Sequence, residues 1–121
     1  MQRAMVINRD NSNIIVEQGE LANTFLTRLK GLLGRKSMNP GEGLLICPCD
    51  MVHSIGMKME IDVLFVSQDN RIVNIIEKMA PNRISKHIKN SCYVIELPSG
   101  QIARTKTQHG QELCVVFESN R

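Results

Sequence analysis

The sequence predicts a small β-rich domain of the α+β class, built on a strongly bent antiparallel or mixed sheet or partial barrel. Three observations lead there. About six or seven short apolar runs have strand length and strand spacing, one stretch alone sustains a helical period over several turns, and turn-forming residues separate nearly every pair of runs. At 121 residues the chain is sized for one core, and it shows no linker, repeat or low-complexity segment, so residues 1–121 are taken as a single domain.

The first element is a hairpin in which Met5-Val6-Ile7 and Ile14-Ile15-Val16 flank the polar turn at residues 8–13. The period then changes. Ala22, Phe25, Leu26, Leu29, Leu32 and Leu33 fall on one helical face, which predicts the main helix over about 22–33. Asn23 or Thr24 supplies its N-cap, and Gly34 ends it beside the basic pair Arg35 and Lys36. A turn-rich loop with Asn39-Pro40-Gly41 precedes the buried strand Leu44-Leu45-Ile46-Cys47.

A strand from Met59 to Val66 follows, with Met59, Ile61, Val63 and Phe65 on one face. Arg71 to Lys78 has apolar residues on both faces and is expected to be central. Ala80-Pro81-Asn82 breaks it, and residues 83–91 are polar enough for an irregular loop. Cys92 to Leu97 resumes the strand pattern, a short second helix is expected at about 101–108, and Glu112 to Phe117 closes the sheet. The main helix is expected to pack over one opening of the bent sheet.

Composition narrows the function classes. With no Trp, one Tyr and three Phe, the core must be built from Ile, Leu, Val and Met, and stacking platforms for single-stranded nucleic acid are nearly absent. The net charge of +3 is modest and the signs are interleaved, so the stripe Arg28, Lys30, Arg35 and Lys36 is expected to be a solvated face, and nucleic acid is not an expected partner. No run approaches the roughly 18 apolar residues of a membrane span, and the opening residues lack the apolar core of a signal peptide. The expected location is therefore cytoplasmic and soluble, with no membrane partner and with Cys47, Cys49, Cys92 and Cys114 reduced.

The most chemical stretch is Cys47-Pro48-Cys49 followed by His53, since two thiolates and an imidazole are ligands for zinc or Cu(I). Its Cys-x-Cys spacing lacks the second pair of a structural zinc site, and Met51, Met57 and Met59 suit core filling better than copper. His53 and Ser54 are adjacent and point apart in an extended chain, so a nucleophile reading would use Cys49 instead. No nucleophile elbow, phosphate loop or metalloprotease motif is present, so no cofactor and no catalytic residue is assigned. Asp62, beside Leu64 and Val66, and Glu96, on the face of Cys92 and Val94, are carboxylates on apolar strands. Each needs a partner such as Arg83, Arg104 or His53, either in a structural ion pair or as the polar floor of a pocket, and Asp62 is expected to be held by a cation or by backbone N–H groups.

Several segments form one pattern, namely Leu21-Ala22-Asn23-Thr24 running to Lys30-Gly31-Leu32-Leu33-Gly34-Arg35, Gly43-Leu44-Leu45 to Pro48-Cys49, and Val52-His53-Ser54-Ile55-Gly56-Met57. Ile61-Asp62-Val63-Leu64-Phe65-Val66, Pro81-Asn82-Arg83-Ile84-Ser85, Val94-Ile95-Glu96-Leu97-Pro98-Ser99-Gly100 and Gly110 complete it. Together they resemble the domain-of-unknown-function 192 family of small bacterial and archaeal proteins. The resemblance implies a compact β-rich fold with the helix near its start, and no reaction. This chain departs from the family pattern at Glu60, where Pro is usual, at Asn82, where an aromatic is frequent, and at Gln111, where Asp follows the glycine. Cys47 is an addition to the pattern.

The expected function is a non-catalytic domain that binds a small molecule or a protein through a surface around residues 49–57. Its candidate contacts are Cys49, His53, Ser54, Met57, Asp62, Arg83 and Glu96. The alternative is a thiol- or metal-dependent protein using Cys47, Cys49 and His53. The sequence leaves the oligomeric state open.

Overall fold

The computed structural model describes residues 1–118. Its elements run β1 Gln2–Asn8, β2 Ile14–Ala22, α1 Phe25–Lys30, β3 Glu42–Ile46, β4 Ile61–Val66, β5 Ile72–Met79, β6 Tyr93–Pro98, α2 Gln101–Arg104 and β7 Leu113–Phe117. All seven strands join one sheet in the order β5-β4-β6-β3-β2-β1-β7. Every neighbouring pair is antiparallel except β2–β3, which is parallel, so the sheet is mixed. An isolated bridge between Arg71 and Glu112 draws the start of β5 toward β7, with Leu113 N–H donating to Asn70 O at 2.8 Å, and the sheet curls into a half-barrel.

Strand alternation sorts the side chains into two cores. The inner one takes Val6, Ile15, Leu45, Leu64, Ile72, Ile95 and Leu113, so every strand feeds it. The outer one takes Leu44, Ile46, Ile61, Val63, Phe65 and Val94 from the other face of β3, β4 and β6, with Val52 and Met57 laid over them. Both β4 and β6 are buried along their whole length, as central strands require. The tight curl at β2–β3 rests on two glycines paired across the strands, Gly19 and Gly43. A Cβ on Gly43 would lie 2.7 Å from Val16 Cγ2, and one on Gly19 would lie 2.8 Å from Val16 Cγ1.

Both helices are shorter than the periodicity predicts. Thr24 is the N-cap of α1, and Thr24 and Thr27 each accept from the other's backbone N–H at 3.1 Å in a reciprocal capping box. The helix stops at Gly31 instead of Gly34, because both glycines adopt positive φ within four residues and the chain turns through them. Leu26 and Leu29, which the helical period assigns to a core face, are 73% and 58% exposed. The expected helix at 101–108 ends at Arg104, and the expected strand at Met59 begins at Ile61. The element that fills the interior is α2, through Ile102, whereas Leu32 beyond α1 joins the outer core.

Asp62 anchors α2. Gly100 at its N-cap has no side chain to offer the orphan N–H groups, and Asp62 Oδ2, from β4, accepts from Ile102 N–H at 2.9 Å instead. A register shift between β4 and β5 leaves Lys78 at φ 54, and its N–H donates to Asp62 Oδ1 at 2.9 Å. The carboxylate is thus fully buried with backbone donors on both oxygens. Of the two expected ways of holding Asp62, a cation or backbone N–H groups, the chain uses the second.

Candidate functional site

The outer core is roofed by two irregular segments, residues 47–60 between β3 and β4, and residues 80–91 between β5 and β6. They are pinned to each other at Ser54. Its N–H donates to Arg83 O at 2.8 Å, its carbonyl accepts from Asn82 N–H at 2.9 Å, and its hydroxyl donates to Ala80 O at 2.6 Å while accepting from Arg83 N–H at 2.9 Å. Further along, Ser85 N–H donates to Val52 O and Ile88 N–H to Asp50 O, both at 2.8 Å. The stretch the sequence assigns to an irregular loop, 83–91, is therefore hydrogen-bonded to the stretch it assigns to recognition.

Between this roof and the end of α1 lies a cleft of about 250 Å³. Its walls are apolar, formed by Leu29, Leu32 and Leu33 on one side and by Ile46, Met51, Val52 and Met57 on the other. Glu96 forms part of its floor. The position follows from the register of β6, where Glu96 pairs with Leu44 of β3 and Val63 of β4, so that two buried aliphatic side chains flank the carboxyl. Glu96 is 4% exposed, and burial pushes its carboxyl up to about 7. Arg28 lines the upper part of the cleft, its Nη1 donating to Pro48 O at 3.1 Å and its Nε enclosed without a hydrogen-bond partner. A larger hollow of about 1300 Å³ lies between β1, β2, β7 and the α1–β3 connection. It is lined by solvated charges such as Arg3, Glu17, Glu20 and Arg35 and has no buried polar group at its base.

Four of the seven predicted contacts meet at the cleft, namely Cys49, His53, Met57 and Glu96. Ser54 is buried beneath it as the hydrogen-bonding hub, and Arg83 contributes its backbone there while its side chain is exposed. Asp62 faces the opposite side of β4, toward α2. Cys49 donates from its thiol to Met51 O at 3.2 Å, and burial pushes that thiol up. Cys47 packs against the inner core and Cys49 against the outer, so the two thiols diverge. Among the described residues no three His, Cys, Asp or Glu side chains gather as a metal site would require. Arg28 and Leu29 are additions that the sequence does not announce, since one reads as a solvated charge and the other as core.

The comparisons with known proteins decide what this frame belongs to. The model of the DUF192 family, described as uncharacterized ACR, matches residues 5–115. The chain belongs to the DUF192 family. Among its relatives is a UPF0127 protein of Thermococcus sibiricus, 25% identical over 97% of this chain and 78% of that protein. The DUF192 fold recurs in the crystal structure of a candidate transcription regulator from Sinorhizobium meliloti, with a TM-score of 0.81 and 26% identity over 94% of this chain and 92% of that one. It recurs again in a protein of unknown function from Novosphingobium aromaticivorans, with a TM-score of 0.80 and 22% identity over 93% and 83% of the two chains. No helix among the described residues is long and apolar enough to cross a membrane.

Proposed function

We propose that this chain is a non-catalytic binding domain that takes a small molecule in the cleft floored by Glu96. The observation that carries the reading is the Glu96 carboxyl itself, 4% exposed among aliphatic side chains in an apolar cleft, with no hydrogen bond to its oxygens among the described residues. A buried carboxyl in that state costs stability. A convergent polar group in an apolar pocket is how small-molecule sites combine affinity with orientation. The volume, about 250 Å³, suits a ligand of a few heavy atoms.

Two other readings have less support. Thiol chemistry at Cys49 is disfavoured because burial holds the thiol protonated and its hydrogen goes to Met51 O. Nucleic-acid binding, which the name of the Sinorhizobium protein would suggest, is opposed by what happens along the stripe Arg28, Lys30, Arg35 and Lys36. Arg28 turns to Pro48 O and Arg35 pairs with Glu42 at 2.6 Å, which breaks up the stripe that would track phosphates.

Amide chemical-shift mapping with millimolar hexanol and phenol tests the reading. Perturbations should concentrate in residues 28–33, 46–57 and around Glu96. Shifts scattered over the surface, or absent from these three stretches, would refute it.

A further inference from the structure

Resting on that reading, we propose that the ligand is a small primary amine whose ammonium group seats on the Glu96 carboxylate while its alkyl body lies between α1 and residues 46–57. The polar deficit of the cleft decides its sign. Glu96 is flanked across the sheet by Leu44 and Val63, which offer no donor, and among the described residues its carboxyl oxygens accept no hydrogen bond. Arg28, the other candidate anchor, already donates to Pro48 O through Nη1, and its enclosed Nε is left without a partner. An incoming anion would gain one contact there and leave the floor unpaired, whereas an incoming ammonium neutralises the group that burial disfavours most.

The groups facing Glu96 can be taken element by element. From α1 come Arg28 and Lys30, from the roof Cys49 and His53, and from β3 and β4 only aliphatic side chains. Neither Arg28 nor Lys30 holds the carboxyl down, since burial is what displaces it to about 7. The ammonium binds the ionised carboxylate. An alkylamine stays charged throughout this range, as Lys does with its ordinary value of about 10.4. Below about pH 7 a proton must therefore leave Glu96 before the amine can bind, and above it none need leave. Affinity should rise close to tenfold per pH unit up to that point and then level.

Hexylamine, hexanol and hexanoate, titrated by calorimetry and by amide shift mapping at pH 5.5 and 7.5, test this on the whole chain. The expected result is that hexylamine binds roughly 25-fold more tightly at pH 7.5 than at 5.5, from the ionised fractions of a group titrating near 7, while hexanol does not change. Glu96→Gln, which keeps the size and polarity of the side chain, should bring hexylamine down to the level of hexanol and remove its pH dependence. The wild-type pH profile stands as a test even if that variant does not fold. Equal binding of hexylamine and hexanol in the cleft would overturn the amine and leave the cleft standing. Preferential binding of hexanoate would overturn it in favour of an anion on Arg28. Failure of all three probes to shift cleft residues would overturn the amine together with the binding reading beneath it.

Discussion

Replacing Asp62 by Ala removes the acceptor for two buried amides, and the cost can be worked from the structure. The side chain is fully buried, and each oxygen takes one backbone N–H at 2.9 Å, from Lys78 and from Ile102. Hydrogen bonds to a charged group contribute about 1.5–3 kcal/mol each, and an unsatisfied buried N–H costs about 1–3 kcal/mol. Relief from burying the charge offsets part of this. A net loss of about 2–4 kcal/mol is expected, and at a urea m-value of about 1–3 kcal/mol/M it moves the unfolding midpoint down by roughly 1–2 M. Urea melts with an unchanged m-value are the assay, and hydrogen exchange should accelerate first at the amides of Ile102 and Lys78. Asp62→Asn, which keeps one acceptor and turns an amide donor toward the other N–H, should lose an intermediate amount. A midpoint within about 0.3 M of the unmodified protein would show that the carboxylate does not organise α2, at the m-values above.

Three further outcomes are expected. Ser54→Ala strips Ala80 O and Arg83 N–H of their side-chain partner, and it should cost about 1–3 kcal/mol and loosen residues 50–57 together with 80–88; protection from exchange that stays unchanged in both segments would refute the hub. Glu96 has a folded-state carboxyl near 7 against an unfolded value near 4.5, so the folded chain binds more protons between those values and stability falls as pH rises through that window. Between pH 5 and pH 8 this should change the difference in unfolding free energy between wild type and Glu96→Gln by about 2–3 kcal/mol, and parallel curves would contradict it. Thiol titration under denaturing, non-reducing conditions should count the four free cysteines of the structure, and a count of two would reveal a disulfide.

The sheet was legible because its strands obey period two and are bounded by strong turns. The polar intrusions at Asp62 and Glu96 were visible in the alternation itself. The apolar residues on both faces of 71–78, expected to mark a central strand, belong instead to β5 at the edge of the sheet, where Glu77 and Lys78 are exposed. What misled was the apolar spacing from Ala22 to Leu33, which fits one helical face although only six residues are helical. Periodicity does not see that Gly31 and Gly34 both take positive φ, nor that Leu26 and Leu29 have no core to cover them. The candidate contacts separated for a similar reason. Asp62 and Glu96 look equivalent along the chain, but Asp62 meets the backbone of a neighbouring bulge and helix, while Glu96 meets Leu44 and Val63. Register decides which carboxylate is satisfied, and register is a property of strands far apart in sequence. The pinning of 50–54 to 82–88 was hidden for the same cause, since polar residues such as Ser54 and Ser85 give no period to follow.

The central claim is that Glu96 is a buried, unpartnered carboxyl at the floor of the cleft. A pH titration of its side-chain carboxyl carbon by NMR on the free protein measures that state directly. The midpoint should fall near 7, where burial places it. A midpoint near 4.3, the ordinary value for glutamate, would mean that water or an amide already satisfies the group, and the cleft would lose the feature that makes it a site.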